Sequence, residues 1–540
     1  MPSPIQTAWV APPKAGGQDH LALRAISEAI YGELVPCITN VTERIRSYAF
    51  YTWFTWRFGL CEKDTSYSEY RRLFRRAECL YTLVGAQHGI DESGSHAAAN
   101  HGAALPGRDT LIGPLLTEDT IHLSVFADPE VAGKNRYFKA ELGGLDQYYL
   151  GTLQQLDLMG RGEKDSIAVT PKRGVHLASV FDEVVPGDLF WKTVHEDALS
   201  VPRLRELHAF CPCFGCNQRE RDTLLDILIG RDQHENVPAM RDGLRLMLDF
   251  LSADGERTLE ADGEDGEASG WNIAQRFRQA AYGGVLPDGS DWSDEALTSW
   301  AGYQRHELFS IAVQSLFWAV LADLDGQSIR VPLQSSADVA TWFTSRHTSA
   351  LGPMASRSFE SFITQVRGTI PLLASIDTNE HEIMLANDLV PEMDSRKIVQ
   401  NVLRLLAALV VRLPAKGIYG NFQRDPSYFA AYDLNLYALQ KHASSTWLPL
   451  TVEQWLEWLV RHWCVGHHLR VALRKLRTEG LDTFRLKPTD SGLAYVDNIR
   501  VVWTSPRLVQ LLRVLRDLGV VSGTYALTEL GSQLREELHG

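Results

Sequence analysis

The sequence predicts a mainly α-helical, multidomain protein, and three observations carry the prediction. The chain has 540 residues, too many for one hydrophobic core, so it should divide into several domains. Apolar residues recur at three- and four-residue spacing along much of its length, the pattern of helices with one buried face. Strand signals are confined to short hairpins, and one arrangement occurs twice: a leucine-rich helix, a Gly-containing hairpin, and a Thr-Gly-Leu helix start.

With 45% hydrophobic and 22% charged residues the composition is that of a folded globular protein. The formal net charge of −14 excludes a chain that coats nucleic acid along its whole surface, because phosphate binding needs clustered Lys and Arg. Any contact with nucleic acid must be local. Residues 1–17 lack the charged start and apolar run of a signal peptide, and the seven cysteines, odd in number and scattered, suit a reducing compartment. A cytoplasmic location is therefore expected. The longest apolar stretch, 308–324, carries Ser310, Gln314, Ser315 and Asp323 and falls short of the roughly 20 residues that span a bilayer. It reads as a buried core helix, with no membrane partner.

In chain order, Leu23, Ile26 and Ile30 mark an amphipathic helix over 21–34, stopped by Pro36. Asn40 or Thr42 is expected to open a second helix, whose later part, 48–58, is dense in aromatic side chains. Such a run can stack bases, but as a helical core it supplies most of the burial. A helix with a basic face follows through Arg71, Arg72, Arg75 and Arg76. The Gly-, Ala- and Ser-rich segment 85–107 reads as a loop. Its His88, His96 and His101, with Asp91 and Glu92, could bind metal, but a polar loop with no helical register is a poor ligand scaffold. Residues 252–270 are rich in Asp, Glu and Gly and cannot bury a core, so a solvated, mobile acidic loop is expected. Beyond it, 271–281, 306–324, 358–366 and 395–413 show helical periodicity. Thr451-Val452-Glu453-Gln454 is a capping box, and Ser505-Pro506 is a further helix-start signal.

The two repeats are Tyr149 to Met159 with Ser166 to Thr170, Gly174 and Leu177, and Leu508 to Leu518 with Gly519 to Thr528, Gly531 and Leu534. Both resemble the recognition helix, wing and closing segment of winged-helix domains. That resemblance implies two modules with short β-wings and a role in binding DNA or other proteins, although fold alone does not establish function. The expected division is then a helical domain over 1–108, a first winged-helix-like module over 109–190, a helical segment with a Cys cluster over 191–251, the acidic loop 252–270, a central helical domain over 271–448, and a C-terminal basic helix with a second module over 449–540.

Charge separates the two copies. Between Arg461 and Arg516 there are eleven Lys or Arg against four Asp or Glu. His467, Arg470, Arg474 and Arg477 share one helical face, although Arg474, Lys475 and Arg477 also complement the C-terminal end of that helix. In the second copy Gln510, Arg513 and Arg516 lie opposite a leucine stripe. Arg470, Arg474, Arg477, Arg507, Gln510, Arg513 and Arg516 are therefore the candidate DNA contacts. The first copy carries Asp146 and Asp157 without Lys or Arg on its helix and suits protein contacts. Its Thr170 precedes Gly174 by four residues, whereas Thr528 precedes Gly531 by three.

Chemistry is represented by one compact run. His208, Cys211, Cys213 and Cys216 place four zinc-type ligands within nine residues, with inert buried cysteines, or a redox pair at Cys213 and Cys216, as the other readings. No phosphate-binding or dinucleotide glycine motif is present, neither His306-Glu307 nor His381-Glu382 completes a zinc-protease motif, and no nucleophile elbow occurs. Asp182, Glu183, Asp188 and Lys192 could be assembled into a metal-dependent nuclease, but read as solvated polar positions. No catalytic set is assigned. The expectation is a non-catalytic subunit of a bacterial DNA-associated complex, of the kind used in defence against phage or plasmids, with DNA and fellow subunits such as a nuclease as partners. The alternatives are a kleisin-like bridge to an SMC-type ATPase, implied by the winged-helix resemblance, and a zinc-dependent hydrolase or divergent nuclease.

Overall fold

The computed structural model describes residues 14–15, 19–62, 66–93, 101, 105–128, 133–162, 166–213, 218–231, 238–255, 266–325, 333–375, 381–414, 417–422 and 433–540. The fold is mainly α, with strands limited to short two-stranded pairs among the described residues. The chain forms two compact units, each discontinuous: Met1–Gly32 with Gln275–Thr504, and Glu33–Ala274 with Ser505–Gly540. This differs from the linear division expected from composition. Two of the breaks fall inside the helices Arg24–Leu34 and Gly266–Gly283, where composition does not change.

The first unit is built round the Leu297–Leu324 helix, which is buried on nearly every side. It is the one described helix long and apolar enough to cross a membrane, and 83% of its apolar window is buried within the protein. Ser395–Arg412 and His381–Leu389 pack along it. Its polar residues are tied into the interior. His306 accepts from the Tyr419 hydroxyl through Nδ1 at 2.9 Å and donates through Nε2 to the Leu23 carbonyl at 3.0 Å. Burial pushes this imidazole down to about 4, so it is neutral at neutral pH. Glu307 accepts from the Thr504 amide at 2.8 Å and from the Ser27 hydroxyl. Thr451 and Gln454 form the capping box the sequence predicts, with bonds of 3.2 and 2.9 Å. The helix it opens carries Trp455 against Trp447 and Phe359. The Phe359–Arg367 helix forms where the sequence shows helical periodicity, and Ser358 caps it.

The second unit has the aromatic helix Arg46–Cys61 at its centre, packed on Arg173–Asp182, Tyr67–Ser93 and Gly187–His195. Tyr48, Phe50, Tyr51, Trp53 and Phe54 are fully buried, and Phe50 stacks on Tyr81 with ring centroids 3.9 Å apart. The aromatic run is core. With 46–55 buried throughout, these rings have no face to offer to bases.

Several expectations are corrected. The central helix starts at Arg46, not at Asn40 or Thr42; the Thr42 hydroxyl instead accepts from the Thr39 amide at 3.0 Å and meets the Tyr48 hydroxyl at 3.2 Å. The Tyr67–Ser93 helix continues through 85–93, which composition marked as loop. The expected acidic loop 252–270 is helical at both ends, where Pro238–Asp254 and Gly266–Gly283 run into it, and 256–265 lie outside the described residues. Ser505-Pro506 does not cap a helix; Arg507, with φ of 60°, precedes Leu508–Asp517.

Candidate functional site

Both repeats fold into the same helix–hairpin–helix, held by the same bonds. In the first, the helical segment Leu145–Tyr149 and Leu150–Gln155 ends at Asp157, whose φ is 54°. Met159–Arg161 then pairs antiparallel with Ile167–Val169. The Thr170 hydroxyl donates to the Asp157 carbonyl at 2.6 Å and accepts from the Gly174 amide at 2.9 Å. In the second, Leu508–Asp517 ends at Gly519, with φ of 73°, and Val521 bridges Leu527. There the Thr528 hydroxyl donates to the Gly519 carbonyl at 2.7 Å and accepts from the Gly531 amide at 3.1 Å. Each glycine sits against the carbonyl just past the turn. A Cβ on Gly174 would lie 2.2 Å from the Leu158 oxygen, and one on Gly531 2.2 Å from that of Val520. The extra residue between Thr170 and Gly174 leaves this arrangement intact.

Exposure divides the copies, and in the opposite sense to charge. Every residue of Leu508–Asp517 is buried or half-buried. Gln510 donates to the Asn40 carbonyl at 3.0 Å, Arg507 to that of Val35 at 3.3 Å, Arg513 pairs with Glu43, and the Arg516 guanidinium lies 5.6 Å over the Tyr525 ring. Asp517 pairs with Arg44, and burial pushes its carboxyl up. Arg507, Gln510, Arg513 and Arg516 were expected at DNA; they are instead engaged within their own unit. A helix wrapped this closely has no face to enter a groove. The first copy is open: Gln147, Gly151 and Gln154 are exposed on one face, beside Asp146.

The basic helix His467–Glu479 belongs to the first unit, so the basic stretch 461–516 is shared between the two units. His467 turns inward, donating to the Leu21 carbonyl at 2.9 Å. Arg470, Arg474 and Arg477 are exposed, with Leu473 beside them. Arg470 pairs with Asp433 at 3.0 Å, and the His467 hydrogen bond holds the Asp433 carboxyl down at about 2. The same unit has a cleft of about 530 Å³ lined by Arg24, Arg485, Arg500 and Trp503. Arg485 and Arg500 lie in the basic stretch visible in the sequence, but nothing local connects Arg24 to it.

The nuclease quartet does not converge. Asp182 accepts from Trp53 Nε1 at 2.7 Å and shares Arg57 with Asp188, Glu183 pairs with Arg219, and Lys192 lies 3.9 Å from Glu196. Of the expected zinc ligands, Cys211 and Cys213 come together among the described residues, with His88 and His101 and without His208. His208 is exposed and bonds the Arg205 carbonyl through Nδ1 at 2.7 Å. Cys216 lies outside the described residues. The Cys211–Cys213 turn is fixed from below by Arg46, whose Nη1 donates to the carbonyls of Ala209 and Cys211 at 2.7 and 2.6 Å, and which pairs with buried Glu220 at 2.9 Å. A hydrogen bond from Cys211, aided by His88 and His101, pulls the Cys213 thiol down.

No protein-family model, curated protein or solved structure matches the chain.

Proposed function

We propose that the protein is a non-catalytic subunit of a DNA-associated complex and that it contacts duplex phosphates through the outward face of the His467–Glu479 helix. The observation that carries this reading is the exposure of Arg470, Arg474 and Arg477 on one face of one helix in a chain of net charge −14. Local clustering of cations is what phosphate binding requires when the whole surface is acidic. The test is fluorescence anisotropy on labelled duplex DNA over a salt series. Arg474→Glu with Arg477→Glu should weaken binding alike for all sequences and lower the salt slope by about 2, near 0.9 per lost phosphate contact. A wild-type chain that does not bind DNA, or a double variant that binds unchanged, sinks the proposal.

A second contact is favoured by the open face of the first repeat, where Gln147, Gly151 and Gln154 are exposed beside Asp146 and no Lys or Arg stands on the helix. Read as a winged-helix-like module, it is a docking surface for a fellow subunit, as in a kleisin-like bridge to an SMC-type ATPase. Nothing lies within 4 Å of the position a Gly151 Cβ would take, so Gly151→Arg should fold normally and abolish co-purification with an SMC-type ATPase. An intact complex would remove this reading without touching the first.

A further inference from the structure

We propose that His88, His101, Cys211 and Cys213 bind one zinc ion as a closed structural site, with Glu92 orienting both imidazoles. The inference is independent of DNA binding. The four ligand atoms all lie within 4.8 Å of one another. Cys211 Sγ is 3.5 Å from His101 Nδ1, and Cys213 Sγ is 3.5 Å from His88 Nδ1. With Zn–S near 2.3 Å and Zn–N near 2.0–2.1 Å, a tetrahedron has an S···N edge of about 3.5 Å. The two S···N distances have that length.

The far side of each ring supplies the second argument. His88 Nε2 lies 3.1 Å from one Glu92 oxygen, and His101 Nε2 lies 2.9 Å from the other. One carboxylate thus accepts from both imidazoles, which fixes both as Nε2–H tautomers and turns both Nδ1 lone pairs towards the sulfurs. That is the carboxylate–histidine–metal relay by which zinc ligands are oriented. Two thiolates and two imidazoles favour zinc over harder cations, and the thiolates balance its charge. Four protein ligands leave no coordination position for water or substrate, so the site is structural and not hydrolytic. Its ligands come from the end of the Tyr67–Ser93 helix, from residue 101, and from the turn after the short helix His208–Phe210. The ion ties these segments together.

The test uses the full-length chain. Metal analysis of wild-type protein should find about one zinc per chain, retained by Cys61→Ser, which alters an exposed cysteine outside the site, and lost by Cys213→Ser. Refilling stripped wild-type protein with Co²⁺ should give thiolate-to-cobalt charge transfer and the intense visible bands of tetrahedral S₂N₂ ligation. Glu92→Gln should keep that spectrum while weakening zinc affinity about 10- to 100-fold. Wild-type protein with neither stoichiometric metal nor a tetrahedral cobalt spectrum overturns the site, whatever becomes of the variants. So does a Cys213→Ser protein that keeps its full metal content.

Discussion

Glu78→Gln should flatten the pH dependence of the second unit's stability. Glu78 is fully buried and accepts from the Tyr51 and Tyr137 hydroxyls at 2.7 Å each and from the Gly144 amide at 3.0 Å. Loss of water outweighs those three donors, and burial pushes the carboxyl up from 4.5 to about 7. In the unfolded chain it titrates near its ordinary value, so between 4.5 and about 7 the native state holds a proton that the unfolded state has already lost. Stability from this group is therefore full below the lower value and is lost as pH rises through the upper one. At about 1.4 kcal/mol per tenfold change in acidity, the whole change is roughly 3 kcal/mol, of which about 2 kcal/mol falls between about pH 5.5 and 8. Urea unfolding at a series of pH values, sampled by pulsed hydrogen exchange at one fixed pH and read on peptides from the Tyr67–Ser93 helix, reports this unit alone. The wild-type-minus-variant difference cancels every other titration. It should fall by about 2 kcal/mol across that range, and parallel pH profiles would refute the reasoning.

Two further outcomes can be measured by the same unfolding experiment. Gly174→Ala and Gly531→Ala should each cost about 1–3 kcal/mol or more, because the new Cβ meets a backbone carbonyl that cannot move aside; Gly151→Ala, on an open helical position, should gain up to about 1 kcal/mol. Equal effects at all three would remove the close approach as the reason for the repeated glycine. Arg46→Met should cost about 3–5 kcal/mol by stranding the buried Glu220 carboxylate, and adding Glu220→Leu should recover much of that loss. A double variant no more stable than Arg46→Met alone would show that the carbonyls of Ala209 and Cys211, not the ion pair, carry the cost.

The helices were legible because their signals are local. The Thr451 capping box, the helical periods of 358–366 and 395–413 and the apolar character of the Leu297–Leu324 helix each depend on neighbours within a turn or two. The repeated helix–hairpin–helix was legible for the same reason: Thr170 with Gly174, and Thr528 with Gly531, close bonds over three or four residues. Composition misled where it stood in for structure. The segment 85–93 has the small residues of a loop, yet it ends a helix whose preceding turns, 73–84, are buried.

What tertiary structure decided was which polar groups stay in water and which meet. Gln510 and Arg513 have the spacing of a solvent-facing stripe, but their face is closed by residues some 470 positions earlier in the chain. No periodicity within Leu508–Asp517 contains that information. Likewise the cysteines of the 208–216 run are visible as ligands, while their partners His101 and His88 stand 110 and 125 residues away. Sequence by itself determined the helical class, the Thr451 capping box, the two turns and the residue types suited to zinc, since those follow from short-range sterics and hydrogen bonding. The return of distant segments determined the rest, because burial and ligand geometry are properties of pairs that the chain brings together only on folding.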